Sequence, residues 1–318
     1  MQQPKVSIIV PAQNAAATVE ACVRSILEQD YTSLECILVE NGSTDETPAL
    51  CGRLAEADGR IRVAVSQRAG VSEARNLGLE LATGDIIGFC DADDFLEPGA
   101  VGTVVSLFEA DPEILGVIGA FDRGEMTTEG IRKQYRGKKR LRKLSAGKAL
   151  MLTVGSRAVM GSVWNKYYRA DAAKRIRFDA SLSLCEDMHY NAMLLSAFPD
   201  AKLAYTDRPL YCYVVNEQSV THQADRLYAA DGELKYIGAL KKILQDCRLS
   251  AACQSVVRMQ LAVFAIDYLY AGEADGVRKA KLRAELKQNY RYLLRSMARF
   301  DFAEHMKQVV KALLLFTR

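Results

Sequence analysis

The chain has 318 residues, of which 49% are hydrophobic and 25% are charged, and its formal net charge is only +3. This composition is typical of a soluble globular protein with one large domain and an appendage. No apolar run approaches the roughly 20 residues of a membrane span, and no signal-peptide core follows Met1, so we expect a cytoplasmic protein. The eight cysteines form no C-x-x-C pair, which argues against a zinc site and a disulfide framework.

The first third of the sequence alternates between strand-like and helix-like patterns. The patterns predict four strands and three helices, at Val6–Val10, Thr18–Gln29, Glu35–Val39, Asp45–Asp58, Ile61–Ser66, Ser72–Ala82 and Asp85–Cys90. This alternation predicts an α/β fold with a mostly parallel sheet that is flanked by helices. Ligands bind beyond the carboxyl ends of the strands in such sheets, so the loops that begin at Pro11, Glu40 and Asp91 should converge.

The loops after the first two strands carry polar groups that could hold a nucleotide. Four residues end the first strand: Pro11, Ala12, Gln13 and Asn14. Glu40 and Asn41 end the second and supply a carboxylate and an amide for a base and a ribose. The alternative is a turn with a helix cap, formed by Ser43, Thr44 and Asp45. We expect both arrangements together: Thr44 or Asp45 caps the helix, and Glu40 and Asn41 face the ligand.

The third helix follows Gly70 and carries Arg75 in its first turn. Free N–H groups at the start of a helix suit an anion, and Arg75 could pair with Asp91 or with a phosphate. A buried structural salt bridge is the alternative for Arg75.

The fourth strand delivers three carboxylates in four residues, at Asp91, Asp93 and Asp94. Carboxylates crowded in this way repel each other unless positive charge neutralises them. Mg²⁺ or Mn²⁺ would take oxygen ligands from one or two of them and complete its shell with water and substrate phosphates. The alternative is a solvated acidic turn in which Asp94 caps the next helix. We predict a metal–diphosphate site.

Basic residues are concentrated in an acid-free segment between Glu129 and Asp171. Nine of them crowd residues 132–148: Arg132, Lys133, Arg136, Lys138, Lys139, Arg140, Arg142, Lys143 and Lys148. Such a run attracts polyanions such as anionic lipid head groups or a pyrophosphate-linked acceptor, and it is equally typical of a solvated loop. Between residues 132 and 148 the only aromatic residue interleaved with these basic side chains is Tyr135, which argues against a nucleic-acid partner.

Five motifs of the first 98 residues agree in order with one known family. They are Val6–Pro11 followed by Asn14, Val39–Asp45, Ala74–Gly78, Ala82–Asp85, and Asp91–Asp94 as a D-x-D element. The stretch Val6–Pro98 thereby resembles the nucleotide-sugar-binding half of the family 2 glycosyltransferases, which have a GT-A fold. The resemblance implies that Asp93, assisted by Asp91, binds Mg²⁺ or Mn²⁺ on the donor diphosphate, with Ala92 between them in the donor site.

The resemblance also implies that the loops at Pro11 and at Glu40–Asn41 hold the base, which is usually uracil. Two residues depart from the family pattern: Gln13 stands where an aromatic residue is frequent, and Asn41 where an aspartate is common. An amide oxygen can still accept a hydrogen bond from N3 of uracil, but without the charge. We therefore expect UDP and leave GDP or another nucleotide open.

Two motifs in the middle of the chain resemble a W-N-K-x-Y-R and E-D arrangement that many bacterial members share. They are Trp164–Arg169 and Leu184–Tyr190. The resemblance implies that Asp187 is the general base of an inverting enzyme, with Glu186 helping to place it or the acceptor. An acceptor hydroxyl must lose its proton as it attacks the anomeric carbon, and an ionised carboxylate can take that proton. The alternative is a pair of acids that complement a helix dipole.

Further candidates contact the acceptor or the metal. Trp164, Asn165 and Lys166 are assigned to the acceptor pocket, although Trp164 could equally belong to the core. The segment Tyr211–His222 resembles the closing strand and loop of the family, where a histidine completes the metal site in some relatives. His222 is therefore a third metal candidate, and otherwise an exposed loop residue.

We divide the chain into a GT-A domain at 1–222 and a C-terminal helical region at 223–318. The domain has a nucleotide-sugar-binding half at 1–98 and an acceptor half at 99–222. Helical spacing in the C-terminal region includes Val256–Leu269 and Leu282–Leu294. Its last piece, Val309–Phe316, could lie on a membrane surface, or pack on the catalytic domain or on a dimer partner.

We therefore predict an inverting, metal-dependent sugar transferase. It would move a sugar from a nucleotide-sugar donor to a glycan or lipid-linked acceptor in surface polysaccharide synthesis. The location would be cytoplasmic, and contact with the inner face of the cell membrane is left open. A homo-oligomer is also left open. No nucleic acid is expected as a partner. A nucleotidyltransferase would need a glycine- and lysine-rich phosphate loop, which Ala12–Ala17 does not supply. A catalytically inactive nucleotide-sugar or glycan-binding module is the other alternative.

Overall fold

The computed structural model describes residues 3–127, 130–134, 141–155, 159–215, 227, 229, 233–271 and 275–295. These residues form two compact units. The first contains the residues up to Ala146 together with Ser162–Ser181 and Phe198–Asn216, and the second contains Gly147–Gly161, Leu182–Ala197 and the described residues after Asn216. The units interleave along the chain, whereas the division expected at residues 98 and 222 is linear.

A single sheet of ten strands forms the centre of the first unit, as far as the structure describes the chain. The strands are β1 (Val6–Ala12), β2 (Leu34–Glu40), β3 (Ile61–Val65), β4 (Ile86–Phe89), β5 (Phe95–Leu96), β6 (Ile114–Thr127), β7 (Gly130–Gln134), β8 (Leu141–Ser145), β9 (Lys166–Arg169) and β10 (Lys202–Val214). Their order is β3-β2-β1-β4-β9-β6-β10-β5, with β7 paired to β6 and β8 paired to β10.

The first four long strands run parallel, as the sequence predicts. β1 lies between β2 and β4, and its last residues, Pro11 and Ala12, are in register with Val39 and Glu40 of β2. The strand order therefore reverses at β1, which is where open α/β sheets bind their ligands. β9 is antiparallel to β4 and β6, so the sheet as a whole is mixed.

Ten helices complete the described part of the fold. They are α1 (Val19–Leu27), α2 (Thr47–Ala57), α3 (Val71–Leu81), α4 (Ala100–Ala110), α5 (Ala146–Gly155), α6 (Ala170–Ala173), α7 (Glu186–Ala197), α8 (Lys235–Asp246), α9 (Ala251–Ala271) and α10 (Gly276–Arg295). All seven residues of β2 are buried, as expected for a strand with both faces covered. α3 packs so closely on β1 that a Cβ added to Gly78 would clash with the Ile9 side chain.

The second unit is helical in its described residues. α9 packs against both α8 and α10, and α7 packs against α8. His189 Nε2 and Asp246 Oδ2, 2.9 Å apart, connect α7 to the end of α8. Among the helices of the described residues, none combines the length and the apolar character that crossing a bilayer requires.

Several predictions concern residues that the structure does not describe. His222, the final apolar segment Val309–Phe316 and residues 135–140 of the basic run lie outside the described residues. Of the same run, Arg142 and Lys143 lie exposed on β8. All eight cysteines are free, and all but Cys185 are buried.

Candidate functional site

The loops after β1 and β2 are joined directly by hydrogen bonds. The Asn41 N–H donates to the Ala12 carbonyl oxygen at 2.9 Å, and the Asn14 N–H donates to Ser43 Oγ at 3.0 Å. Asn14 Oδ1 in turn accepts from the Thr44 N–H at 2.8 Å. Asn14 has a φ of +49°, a left-handed conformation that asparagine tolerates better than most residues. The predicted convergence of these two loops is therefore present in the structure.

Asn41 links the β2 loop to the start of α3. Its side-chain oxygen accepts from the Gly70 N–H at 3.2 Å, and its backbone carbonyl accepts from Gln13 Nε2 at 2.9 Å. Gly70 has a φ of +125°, which a residue with a side chain rarely adopts. Because an N–H can only donate, the oxygen of Asn41 must face Gly70. Its Nδ2 group makes no hydrogen bond within the described part of the chain.

Glu40 is buried and braces its own loop. Its Oε1 accepts from the Ser43 N–H at 2.6 Å. Burial raises the pKa of Glu40, but the hydrogen bonds from Ser43 and its neighbours outweigh this effect and leave the pKa below its usual value. Asp45 accepts from the N–H groups of Thr47, the first residue of α2, and of Ala16. The turn alternative therefore describes the contacts of Glu40 and Asp45, whereas the expected side-chain cap is not formed, because Glu46 occupies the N-cap position of α2 and makes no capping hydrogen bond.

Arg75 connects α3 to the loop after β4. Its Nη2 lies 2.9 Å from Asp91 Oδ1, and its guanidinium lies 5.5 Å from the ring centroid of Phe178. Arg75 is buried and Asp91 is half-buried. Arg75 therefore pairs with Asp91, the first of the two partners considered for it. This pair balances part of the negative charge of the acidic loop, Asp91–Asp94.

The acids of this loop have different environments. Asp93 is exposed, yet atoms that crowd its carboxyl limit its hydration, and this effect together with the charge of Asp91 raises its pKa. Asp94 is buried, and its oxygens accept from the Tyr211 hydroxyl at 2.6 Å and from the Val214 N–H at 2.7 Å. Burial, followed by the charges of Asp91 and Asp93, raises the pKa of Asp94 to about 8.

The alternative in which Asp94 caps the next helix is wrong. β5 follows Asp94 directly, and the carboxyl group binds β10 instead of a helix terminus. Ala92, between the two predicted metal ligands, is buried. Sequence reasoning also missed Tyr211 as a partner of this loop, because 117 residues separate it from Asp94.

Trp164 belongs to an aromatic layer of the first unit. Its ring is stacked on Tyr211, with centroids 4.4 Å apart and planes at 14°, and it also faces Tyr213 at 6.0 Å. Phe121 meets it edge-on at 4.9 Å. Trp164 is 5% exposed, so the core alternative describes its position in this structure.

Asn165 and Lys166 are fully buried at the start of β9. Lys166 Nζ donates to the Ser162 carbonyl at 2.6 Å and to Asn165 Oδ1 at 2.8 Å. Asn165 Nδ2 donates to the Gly119 carbonyl at 3.1 Å, which connects β9 to β6. Contact of either side chain with an acceptor would require this network to rearrange.

Glu186 and Asp187 lie in the second unit and open α7. Glu186 is buried, whereas Asp187 is half-buried and its Oδ1 accepts from the Met188 N–H at 2.7 Å. Both occupy the first turn, where negative charge favours the helix. Cys185 precedes them with a φ of +62°, and its carbonyl accepts from the His189 N–H at 3.0 Å.

Comparisons with known proteins identify the family of the chain. The family model described as Glycosyl transferase family 2 matches residues 7–176, more than half of the chain. A relative described as uncharacterized glycosyltransferase EpsJ, from Bacillus subtilis (strain 168), is 27% identical over 311 residues. That alignment covers 96% of this chain and 89% of EpsJ.

Two solved structures resemble the whole chain. S. aureus TarS 1-349 in complex with UDP-GlcNAc has a TM-score of 0.67 at 15% identity, over 97% of this chain and 89% of that one. The mannosyltransferase PcManGT from Pyrobaculum calidifontis, in complex with GDP-Man and Mn²⁺, has a TM-score of 0.58 at 18% identity, over 100% and 80%. At these identities the likeness shows the fold alone, and it confirms the predicted GT-A architecture.

Proposed function

This chain belongs to glycosyl transferase family 2 and is a glycosyltransferase, and from that premise we propose that it is an inverting enzyme that requires a divalent metal ion. It takes a sugar from a nucleotide-diphosphate donor and passes it to a hydroxyl group of a glycan or a lipid-linked acceptor. One observation carries the proposal. The loops after β1, β2 and β4 and the start of α3 are tied together by hydrogen bonds and by the Arg75–Asp91 ion pair, at the edge of the sheet where ligands bind.

The acidic loop suits a hard divalent cation because it offers carboxylate oxygens. Asp93 is exposed, and a cation beside it would favour the ionised form that its surroundings disfavour. Asp93, with Asp91 as a second oxygen donor, would hold Mg²⁺ or Mn²⁺. Held by these residues, the cation would supply positive charge for the departing diphosphate. The solved complex of PcManGT with GDP-Man contains Mn²⁺, which supports the presence of a divalent metal ion in this proposal.

The β1 and β2 loops bind the base in this proposal, and UDP is the first candidate. Asn41 presents its Nδ2 group, because its oxygen is used by Gly70, so it would donate a hydrogen bond to a base oxygen or nitrogen. This differs from the acceptor role that the sequence suggests for the same side chain. The TarS complex with UDP-GlcNAc and the PcManGT complex with GDP-Man keep both uridine and guanosine donors under consideration.

Asp187 acts as the base. As the acceptor oxygen attacks the anomeric carbon, its proton passes to the carboxylate and the bond between the sugar and the diphosphate breaks. No covalent intermediate on the protein is needed, and the configuration at the anomeric carbon inverts. The left-handed conformation of Cys185 supports a functional role for this turn, because backbone strain is concentrated at such sites. Glu186 positions Asp187 or the acceptor.

The acceptor class rests on charge. Arg142 lies exposed on β8, in the acid-free segment of the sequence, and an anionic carrier such as a lipid-linked pyrophosphate would be attracted to it. An acceptor of this kind places the enzyme at the inner face of the cell membrane, in the synthesis of a surface polysaccharide.

The test is calorimetric titration with UDP, GDP and CDP and their sugar conjugates, with and without Mn²⁺. We expect metal-dependent binding of one nucleotide. Incubation with the matching nucleotide sugar should release the nucleoside diphosphate by slow hydrolysis, and early NMR spectra should show the inverted anomer. Release of pyrophosphate would instead support a nucleotidyltransferase. Donor binding without turnover, with every acceptor tried, would support an inactive binding module.

A further inference from the structure

We propose that the Tyr211 hydroxyl sets the orientation of the Asp91–Asp94 loop, so that Tyr211 and the Trp164 ring behind it are positioning residues of the donor site. This inference rests on the proposed function, since it concerns the loop that would hold the diphosphate and its metal ion. Neither residue is required to touch the substrate.

The Tyr211 hydroxyl bridges two points of the loop. It donates to Asp94 Oδ2 at 2.6 Å, and its oxygen accepts from the Asp91 N–H at 3.1 Å. The directions are compatible, because the hydroxyl has one hydrogen for the carboxyl group and free lone pairs for the N–H. A single buried atom thus fixes the first and last residues of the turn.

Other contacts close the turn around this hydroxyl. The Asp94 N–H donates to the Asp91 carbonyl at 3.0 Å, and Asp94 Oδ1 accepts from the Val214 N–H at 2.7 Å. The Asp91 carboxyl is held by Arg75. The backbone of Asp91 is therefore fixed by Tyr211 and its side chain by Arg75, which leaves Asp93 as the acid that faces solvent.

The aromatic layer keeps the hydroxyl in place. Tyr211 is fully buried, and its ring is stacked on Trp164 with centroids 4.4 Å apart. Phe121 packs edge-on against the Trp164 ring. A ring confined in this way cannot swing its hydroxyl away from Asp91 and Asp94 without disturbing the layer. This arrangement gives Trp164 a function behind the donor site, in contrast to the acceptor contact expected from the sequence.

Tyr211→Phe tests the proposal, because it removes one oxygen and keeps the ring. Tyr167→Phe is the matched control. Tyr167 is also fully buried in the same sheet, but its hydroxyl has no hydrogen-bond partner in the part of the chain that the structure describes. Loss of the Tyr211 hydroxyl should weaken the binding of Mn²⁺ to the enzyme–UDP complex by about tenfold, the size expected for the loss of one buried hydrogen bond. Tyr167→Phe should bind Mn²⁺ like the wild type.

The readout separates positioning from general stability. Thermal unfolding is measured beside the Mn²⁺ dissociation constant and the Mn²⁺ dependence of donor hydrolysis. A positioning role raises the dissociation constant at a temperature where the variant is fully folded. A lowered unfolding temperature with an unchanged Mn²⁺ affinity would overturn the proposal.

A second variant keeps the test open if Tyr211→Phe does not fold. Trp164→Phe retains the hydroxyl and weakens the stack, and we expect a smaller rise of the Mn²⁺ dissociation constant, roughly threefold. An unchanged constant in that variant would also count against the proposal. If the wild type binds UDP equally well with and without Mn²⁺, the failure lies with the proposed function, whereas a difference confined to the variants concerns Tyr211 alone.

Discussion

Arg75 on α3 and Asp91 after β4 form an ion pair of 2.9 Å in which the arginine is almost completely buried. The pair connects a helix to the acidic loop across 16 residues of sequence. Removing one partner from a pair of this kind leaves the other charge without compensation in a poorly hydrated place, so the pair is expected to matter for both folding and ligand binding.

Replacing Arg75 by Gln should reduce the free energy of unfolding by about 2 kcal/mol and weaken UDP binding by about tenfold or more. The loss follows because Asp91 would repel Asp93 without a neighbouring cation. Urea denaturation and calorimetry measure the two effects. Arg177→Gln is the control, since Arg177 and Glu80 form a pair with both side chains about half exposed, and it should change stability by less than about 0.5 kcal/mol. Equal losses in both variants would contradict the prediction.

Asp93→Asn should abolish the stimulation of nucleotide binding by Mn²⁺ and reduce donor turnover by about a hundredfold or more. An amide is a much weaker ligand than a carboxylate for a hard cation, and the variant also removes one negative charge. Turnover is followed as release of the nucleoside diphosphate. Asp85→Asn, at the opposite end of the same strand, should keep normal activity because Asp85 is exposed and accepts from the Lys5 N–H. Full metal dependence in Asp93→Asn would remove the basis of the metal assignment.

Asn41→Asp should increase the affinity for UDP relative to CDP by about tenfold. One carboxylate oxygen can keep the bond from the Gly70 N–H, while the second offers the base an acceptor in place of the Nδ2 donor. Uracil presents an N–H at N3, whereas cytosine presents an acceptor at that position. Dissociation constants for UDP, CDP and GDP in both proteins give the ratio. A ratio that stays the same would mean that Asn41 does not contact the edge of the base.

Asp187→Asn should reduce sugar transfer by about a hundredfold or more and leave the dissociation constant of the donor unchanged. The amide cannot take the proton of the acceptor hydroxyl at neutral pH, but it has almost the same shape. Donor binding is measured by calorimetry and transfer by release of the nucleoside diphosphate. Asp275→Asn, at an exposed position before α10, serves as the control. If transfer survives in Asp187→Asn, the base must be sought elsewhere in the chain.

Glu35 should make the first unit sensitive to acid. Its carboxylate is almost fully buried and accepts from Ser7 Oγ, Lys5 Nζ and the Thr83 N–H. Burial raises the pKa of Glu35, but these bonds outweigh it and lower the pKa to about 2. Because the folded pKa lies below the unfolded one, the stabilisation is present above about pH 4.5 and is lost as the pH falls towards 2.

The corresponding loss in free energy of unfolding is about 3 kcal/mol between neutral pH and pH 2. Glu35→Gln should be less stable than the wild type at pH 7 and should lose less on acidification. Urea denaturation at pH 7 and pH 3 measures the difference. Parallel pH profiles of the two proteins would show that Glu35 does not carry this sensitivity.

Local patterns in the sequence predict the parallel part of the fold well. The apolar runs of β1, β2 and β4 are fully buried strands, and buried residues in α1 recur at Val19, Cys22, Val23 and Ile26, as helical periodicity requires. Parallel strands place their carboxyl ends together, so the meeting of the three loops follows from the pattern alone.

The contacts that assign individual side chains do not follow from local patterns. Asp94 binds Tyr211 and Val214, which lie well over a hundred residues away, and Trp164 stacks on Tyr211 through pairing of strands that are distant in sequence. Glu40 carries the charge expected of a ligand-binding residue, but its carboxylate accepts a hydrogen bond from the N–H of the nearby Ser43. The structure also groups segments that are distant in sequence, such as Gly147–Gly161 and Leu182–Ala197, into one unit.

The packing of α7 has a practical consequence for shortened forms of the protein. His189 on this helix reaches Asp246 of α8, and Met188 lies against Gly161. Ending the chain at residue 222 would remove α8 and expose to solvent the side of α7 that packs against it. We expect such a truncated protein to aggregate during expression, even though every strand of the sheet would still be encoded.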